Sequence, residues 1–361
     1  MTNSVAALRH DHDFRIPCTA HNPDARGHHS SNRTSARPCI VLGCHCQQKT
    51  CNQKGQTVAT HAADSELRGI LAILVTPFHE DGSFDEKSFR SQIDFTIDAG
   101  ARAVISTAIF GEFFTLSDSE RKHITRVMVD QTAGRVPAIA TTSGVGAAHA
   151  VELSVDAEEA GADMLMIMPP YISKLPPDGV YDYFKAINEA VDIPIIIQNA
   201  AQPVGAPVSA DELARMLRDF EHCRFIKEEV PPNPQSMHNT AMATKGLSEG
   251  IYGGFGGLYM ITEHRRGCTG WMVAPQFTEA LVEIDDALVS GDESRARQLY
   301  QRILPGLVLE HLMGIPWAKR ALKLRGIIDS DAYRIASPPL QDEDEHELRQ
   351  LMDELGIVPK A

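Results

Sequence analysis

From Leu67 onward, short apolar runs alternate with longer amphipathic stretches, the pattern of βα units that feed a parallel sheet. Eight runs read as strands, at 70–75, 103–107, 137–142, 163–168, 194–199, 224–228, 250–254 and 269–273. The intervening stretches at 86–99, 117–131, 148–160, 180–190 and 209–217 repeat their apolar positions at helical spacing. Ser117 and Glu120 form an S-x-x-E capping box, in which side chain and backbone satisfy each other's unpaired groups. Gly100 and Gly161 close two of the helices. Eight consecutive units without a second sheet pattern predict an α/β (β/α)8 TIM barrel; a doubly wound sheet normally uses five or six strands. Beyond Val273 the chain turns helical at 276–289, 293–303, 306–312, 315–324 and 342–355, which predicts a C-terminal helical appendage.

The first 64 residues show neither period and read as a disordered extension. Five of the seven cysteines and seven of the fifteen histidines fall within residues 1–61. The expected division is therefore a Cys/His-rich extension (1–64), a catalytic barrel (65–292) and a C-terminal helical region (293–361). Cys39, Cys44, His45, Cys46 and Cys51 are soft-ligand types, but their spacing does not match paired zinc knuckles, and no metal is expected.

Charge narrows the partners. With 34 Lys+Arg against 48 Asp+Glu the formal balance is −14. Residues 1–68 hold eight basic and five acidic side chains, so the remainder carries −17. Without a basic stripe, nucleic acid is not an expected partner. No apolar run approaches the ~20 residues of a membrane span, and the chain reads as a soluble, cytoplasmic protein without membrane contact.

A barrel of this kind places its chemistry at the C-terminal ends of the strands. Residues at those positions include Thr76, Gly111, Glu112, Ser143, Tyr171, Gln198, Asn199, Lys227, Glu228, Gly254 and Met272. Lys227 stands out within Cys223-Arg-Phe-Ile-Lys-Glu-Glu229, because a buried ammonium must be either paired or functional. One reading pairs it with Glu228 or Glu229 as a strand-end ion pair. The other makes it a desolvated amine that attacks a carbonyl and forms an iminium, an electron sink for carbanion chemistry. Glu112 or Glu228 is a candidate base, although Glu112 reads first as a structural carboxylate at a helix start or the barrel top. The run Gly253-Gly-Phe-Gly-Gly257 lacks the G-x-G-x-x-G register of a dinucleotide loop and reads as backbone clearance at the barrel mouth.

Four ordered segments carry a resemblance: Gly69-Ile-Leu-Ala-Ile-Leu-Val-Thr-Pro-Phe78, Phe110-Gly-Glu-Phe-Phe-Thr-Leu-Ser117, Met168-Pro-Pro-Tyr171 and Phe225-Ile-Lys-Glu228. Over roughly residues 67–358 the chain resembles the dihydrodipicolinate synthase/N-acetylneuraminate lyase superfamily of class I aldolase-like barrels. The resemblance implies that Lys227 is the Schiff-base lysine. Several positions depart from the synthase itself. Its strand-five Y-N-V-P is here Gln198-Asn-Ala-Ala201, and its G-T-T-G-E loop is Ala108-Ile-Phe-Gly-Glu112. The tyrosine it lends across a subunit interface corresponds to Ile172, and its carboxylate-binding arginine has no counterpart in Gln202-Pro-Val-Gly205. Gly111-Glu-Phe-Phe114 and Gln198-Asn199 are instead similar to the keto-deoxy sugar-acid dehydratases.

The resemblance thus implies a cofactor-free, Schiff-base-forming lyase acting on a 2-oxo acid, as dehydratase or aldolase of a 2-keto-3-deoxy sugar acid or related pyruvate derivative. The alternatives are 4-hydroxy-tetrahydrodipicolinate synthase and a non-catalytic barrel that binds a 2-oxo acid. Around catalytic Lys227, the expected substrate-binding residues are Ile109, Phe110, Gly111, Glu112, Ser143, Tyr171, Gln198, Gly254 and Met272. The backbone N–H groups of 109–111 would cradle the carboxylate. A homo-oligomer, tetramer or dimer, is expected by resemblance alone.

Overall fold

The apolar runs become the strands of a closed parallel barrel in which each strand pairs with the next and β8 returns to β1. A computed structural model describes residues 67–173, 175–200 and 207–357; the extension at 1–64 and the segment 202–205 lie outside them. The strands are β1 (Gly69–Ile73), β2 (Ala103–Ser106), β3 (Ala138–Thr141), β4 (Met164–Ile167), β5 (Ile195–Ala200), β6 (Cys223–Glu229), β7 (Gly250–Gly253) and β8 (Gly270–Val273). The helices that follow β1 to β5 are α1 (Glu86–Asp98), α2 (Asp118–Thr132), α3 (Ala147–Glu159), α4 (Pro177–Asn188) and α5 (Ala210–Asp219). The remaining units supply α6 (Asn233–Ala243), α7 (Met260–His264) and α8 (Thr278–Val289). The Ser117 capping box at the start of α2 forms as its spacing predicts, with both reciprocal bonds present.

Successive strand residues point to opposite faces, and two apolar cores result. Leu71, Ile105, Ile139, Met166, Ile196, Phe225 and Tyr252 fill the barrel interior. Ile70, Val104, Leu165, Ile197, Ile226 and Trp271 face the helical layer. Side chains plug the barrel below its rim, so chemistry is confined to the C-terminal end.

Three helices follow the barrel: α9 (Glu293–Met313), α10 (Ile315–Leu324) and α11 (Asp342–Glu354). The sequence pattern predicts a break near Pro305, yet α9 runs through it as one helix. Proline removes an amide donor and clashes with the preceding turn, a penalty of about 3 kcal/mol. Burial of Ile303, Gly306 and Leu307 on the flanks of that proline offsets it. At Gly306 a Cβ would lie 2.3 Å from Leu351 of α11, so the two helices meet there in close contact. This continuity matters for function, because it carries the last turns of α9 to the barrel mouth.

Candidate active site

The site is laid out by the two-residue period of β6. Phe225, Lys227 and Glu229 share the inward face, and Ile226 and Glu228 face outward. Phe225 stacks on Tyr252 with ring centroids 6.0 Å apart, closing the barrel beneath the rim. One step higher, Lys227 is 3% exposed and its Nζ lies 3.0 Å from Glu229 Oε2. The same oxygen accepts a hydrogen bond from Gln198 Nε2 at 2.8 Å, Gln198 of β5 standing opposite Lys227 in the β5–β6 register. Glu229 Oε1 accepts from the Phe255 N–H at 3.4 Å. Lys227 is therefore paired, with Glu229, inside a cavity that leaves its nitrogen approachable.

Glu228 occupies the opposite face. Its carboxylate accepts from Asn199 Nδ2 (3.0 Å), Thr240 Oγ1 (2.7 Å), Ser236 Oγ (2.9 Å) and the Val230 N–H (3.0 Å). Burial pushes this carboxyl up, and the four donors oppose that shift. Glu228 ties β5 and β6 to α6 and faces the helical layer, where a substrate has no access.

A cavity of about 510 Å³ opens at the rim, within the range of small-molecule sites. Ile73, Ile109, Phe110 and Met272 supply apolar wall. Lys227, Glu229, Glu310 and His311 supply its polar functions. Of the residues singled out in the sequence, Lys227, Ile109, Phe110 and Met272 thus border one space. Gln198 acts on it through Glu229. Gly254 provides clearance: a Cβ there would sit 1.9 Å from Glu229 Oε1. Gly254→Ala is accordingly expected to displace the Glu229 carboxylate and lower turnover by about 10²-fold with the thermal transition retained. Steady-state rates alongside a melting curve check this, and a variant with native turnover would contradict it.

Gly111, Glu112, Ser143 and Tyr171 do not border the cavity. The Gly111 carbonyl accepts from Thr76 Oγ1 at 2.6 Å. Ser143 Oγ accepts from the Met168 N–H at 2.9 Å, and the Ser143 carbonyl takes an Arg121 guanidinium N–H. The Tyr171 ring stands edge-on to Phe113, with centroids 5.2 Å apart.

Glu112 is fully engaged in a buried pair with Lys319 of α10, Oε1 to Nζ 2.5 Å. Its other oxygen accepts the N–H groups of Arg334 (2.8 Å) and Ile335 (3.0 Å). Burial lowers the Lys319 ammonium to about 8, against the opposing pull of Glu112. Glu112 therefore locks the C-terminal segment to the barrel. Breaking a buried pair leaves an uncompensated charge, so Glu112→Gln is expected to destabilise the fold by about 3–5 kcal/mol in urea unfolding. A loss below about 1 kcal/mol would contradict the buried pairing.

The backbone around the mouth is also unusual. Thr107, Glu112 and Phe255 hold positive φ angles of 53°, 54° and 49° without being glycine. Such conformations require about 1–3 kcal/mol each and persist where surrounding structure enforces them. Thr107 is held by a bond from its Oγ1 to the Thr141 carbonyl at 3.0 Å.

The sequence reading names Glu229 only as an ion-pair partner of Lys227 and passes over Glu310 and His311. Glu229 is signalled by strand periodicity, since a residue two beyond an inward lysine also faces inward. Glu310 has no local signal, because packing of α9 alone brings it to the rim.

With this geometry in view, the comparisons with known proteins are specific. The profile of the dihydrodipicolinate synthetase family matches residues 66–355. The L-2-keto-3-deoxyarabonate dehydratase of Azospirillum brasilense is 31% identical over 293 residues, 80% of this chain and 94% of that protein. A 4-hydroxy-tetrahydrodipicolinate synthase of Methylobacterium radiotolerans is 32% identical over 257 residues, 68% of this chain and 81% of the relative. Among solved structures, a putative dihydrodipicolinate synthetase from Pseudomonas aeruginosa superposes with a TM-score of 0.76 at 28% identity, covering 80% of this chain and 99% of that one. A chloride-inhibited dihydrodipicolinate synthase from Acinetobacter baumannii, complexed with pyruvate, gives 0.74 at 26% identity, over 81% and 99% of the two chains.

The fold and site define an α/β-barrel lyase. The chain belongs to the dihydrodipicolinate synthetase family. Its relatives carry both dehydratase and synthase names. Among the described residues, no helix is long and apolar enough to cross a membrane.

Proposed function

We propose that this lyase forms a Schiff base between Lys227 and a 2-oxo acid and eliminates water from a 2-keto-3-deoxy sugar acid. The observation that carries the reading is the inward Lys227–Glu229 pair at the end of β6, 3.0 Å apart and bordering an otherwise largely apolar cavity. Lys227 condenses with the 2-oxo group, and the iminium acidifies the C3 protons. Glu229, held by Gln198, lies beside the reacting nitrogen and takes the C3 proton as general base. Backbone N–H groups of Ile109 and Phe110, the two residues of the 109–111 turn on the cavity wall, bind the substrate carboxylate. Elimination rather than synthase chemistry is favoured because Gln198 stands where the synthase carries its relay tyrosine, and Ile109-Phe110 replace its two threonines.

Product analysis on keto-deoxy pentonate and hexonate tests the proposal. Loss of water with an unbroken carbon chain supports it. Release of pyruvate assigns aldol cleavage instead, and turnover only of pyruvate with aspartate semialdehyde assigns the synthase reaction.

A further inference from the structure

Glu310 belongs to α9, outside the eightfold βα repeat, yet it borders the same cavity as Lys227 and Glu229. Its side chain is almost wholly buried, at 4% exposure for the residue. Oε2 accepts a hydrogen bond from the Gln276 side-chain amide. On the loop after β7, a Cβ at Gly256 would fall 2.4 Å from Glu310 Oε1, so glycine opens the space this carboxyl occupies. Gly254 does the same for Glu229. Gly254 and Gly256 are thus the clearance that admits two carboxyl groups to one cavity from two elements.

Their surroundings differ. Glu229 faces the Lys227 ammonium. Glu310 has no ion-pair partner among the described residues. Its charged and titratable neighbours around the cavity are Lys227 and Glu229 from β6 and His311 from α9, while Arg325 is engaged with the Gln276 carbonyl and Glu279. Burial pushes the Glu310 carboxyl up to about 7, opposed by the Gln276 bond. Two carboxyl groups in unlike environments at one site are the arrangement that divides acid from base.

We propose that Glu310 is the general acid that protonates the hydroxyl leaving from C4 of a 2-oxo-3-deoxy acid; this rests on the Schiff-base dehydratase reading. Glu229 takes the C3 proton of the Lys227 iminium, giving an enamine. The nitrogen lone pair then re-forms the C2=N bond, the C2=C3 pair becomes C3=C4, and the C4–O bond breaks. The Glu310 O–H proton goes to the departing oxygen, releasing water and leaving Glu310 as carboxylate. Water returns the carbonyl at C2 and frees Lys227, and both carboxyl groups are reset by proton exchange with solvent.

The test compares the native enzyme with Glu310→Gln in three reactions. Loss of water from a keto-deoxy pentonate is expected to fall about 10²- to 10³-fold. Deuterium exchange at C3 of pyruvate, which needs Lys227 and Glu229 but no leaving group, is expected to stay within about threefold of native. Loss of fluoride from the 4-fluoro analogue is likewise retained, because fluoride departs without a proton. In the native enzyme alone, water loss should decline as pH rises through about 7 while fluoride loss does not, which gives a readout even where the variant fails to fold.

A parallel fall in all three reactions, unchanged water loss, or matching pH limbs for hydroxyl and fluoride would overturn the assignment. So would pyruvate release from the pentonate by the native enzyme. A native enzyme that gives no borohydride-trapped adduct with pyruvate or with the pentonate removes the Schiff-base reading itself, a result distinct from failure of Glu310 as the acid.

Discussion

Lys227→Ala is expected to lower kcat/KM for the keto-deoxy acid by at least about 10⁴-fold, because the proposed Schiff-base route loses its nucleophile and with it the iminium through which every later step passes. The loss should appear in kcat, since the cavity walls, Ile109 and Phe110 among them, remain to bind substrate. The fold should persist. Lys227 contacts Glu229, and without it Glu229 keeps its bonds from Gln198 and the Phe255 N–H. Circular dichroism and a melting transition close to native, with turnover absent, is the expected pair of results. Retention of even a hundredth of native turnover would show that another group carries the chemistry.

Glu229→Gln is expected to lower kcat about 10²- to 10⁴-fold, the usual worth of a positioned general base. The isosteric amide still fits the gap above Gly254 and still accepts from Gln198. Adduct formation with pyruvate should therefore survive, whereas exchange of the C3 protons is lost. That split separates a base from a residue that merely holds Lys227 in place, since a structural role would depress adduct formation and exchange together. Glu229→Asp, one methylene shorter, should recover part of the exchange. Equal loss of adduct and exchange in both variants would return Glu229 to the role of ion-pair partner.

Much of the barrel is legible in the chain because each βα unit declares itself locally. Buried parallel strands read as short apolar runs, and β1 to β8 start and stop within two residues of those runs. The strand that carries Lys227 is recognisable by the oddity of an ammonium within it. What the sequence hides is direction and distance. Whether Lys227 meets Glu228 or Glu229 depends on which face each presents, and the two-residue period answers that only once the strand is anchored by Phe225 inside and Ile226 outside. Glu112 reads as a site residue from its place after β2. Its commitment to Lys319 depends on a contact spanning 207 residues, which no local pattern records. Glu310 is hidden for the same reason, and the Pro305 signal further disguises it by predicting a break in the helix that brings it to the rim.

Every step proposed for the site begins with a covalent imine between Lys227 and a 2-oxo acid. Intact mass after borohydride reduction in the presence of pyruvate, with native chain and Lys227→Ala side by side, tests it most directly. A single reduced pyruvate adduct on the native chain, absent from the variant, is the predicted result. A folded native chain that acquires no adduct, or an adduct that persists in Lys227→Ala, would contradict it.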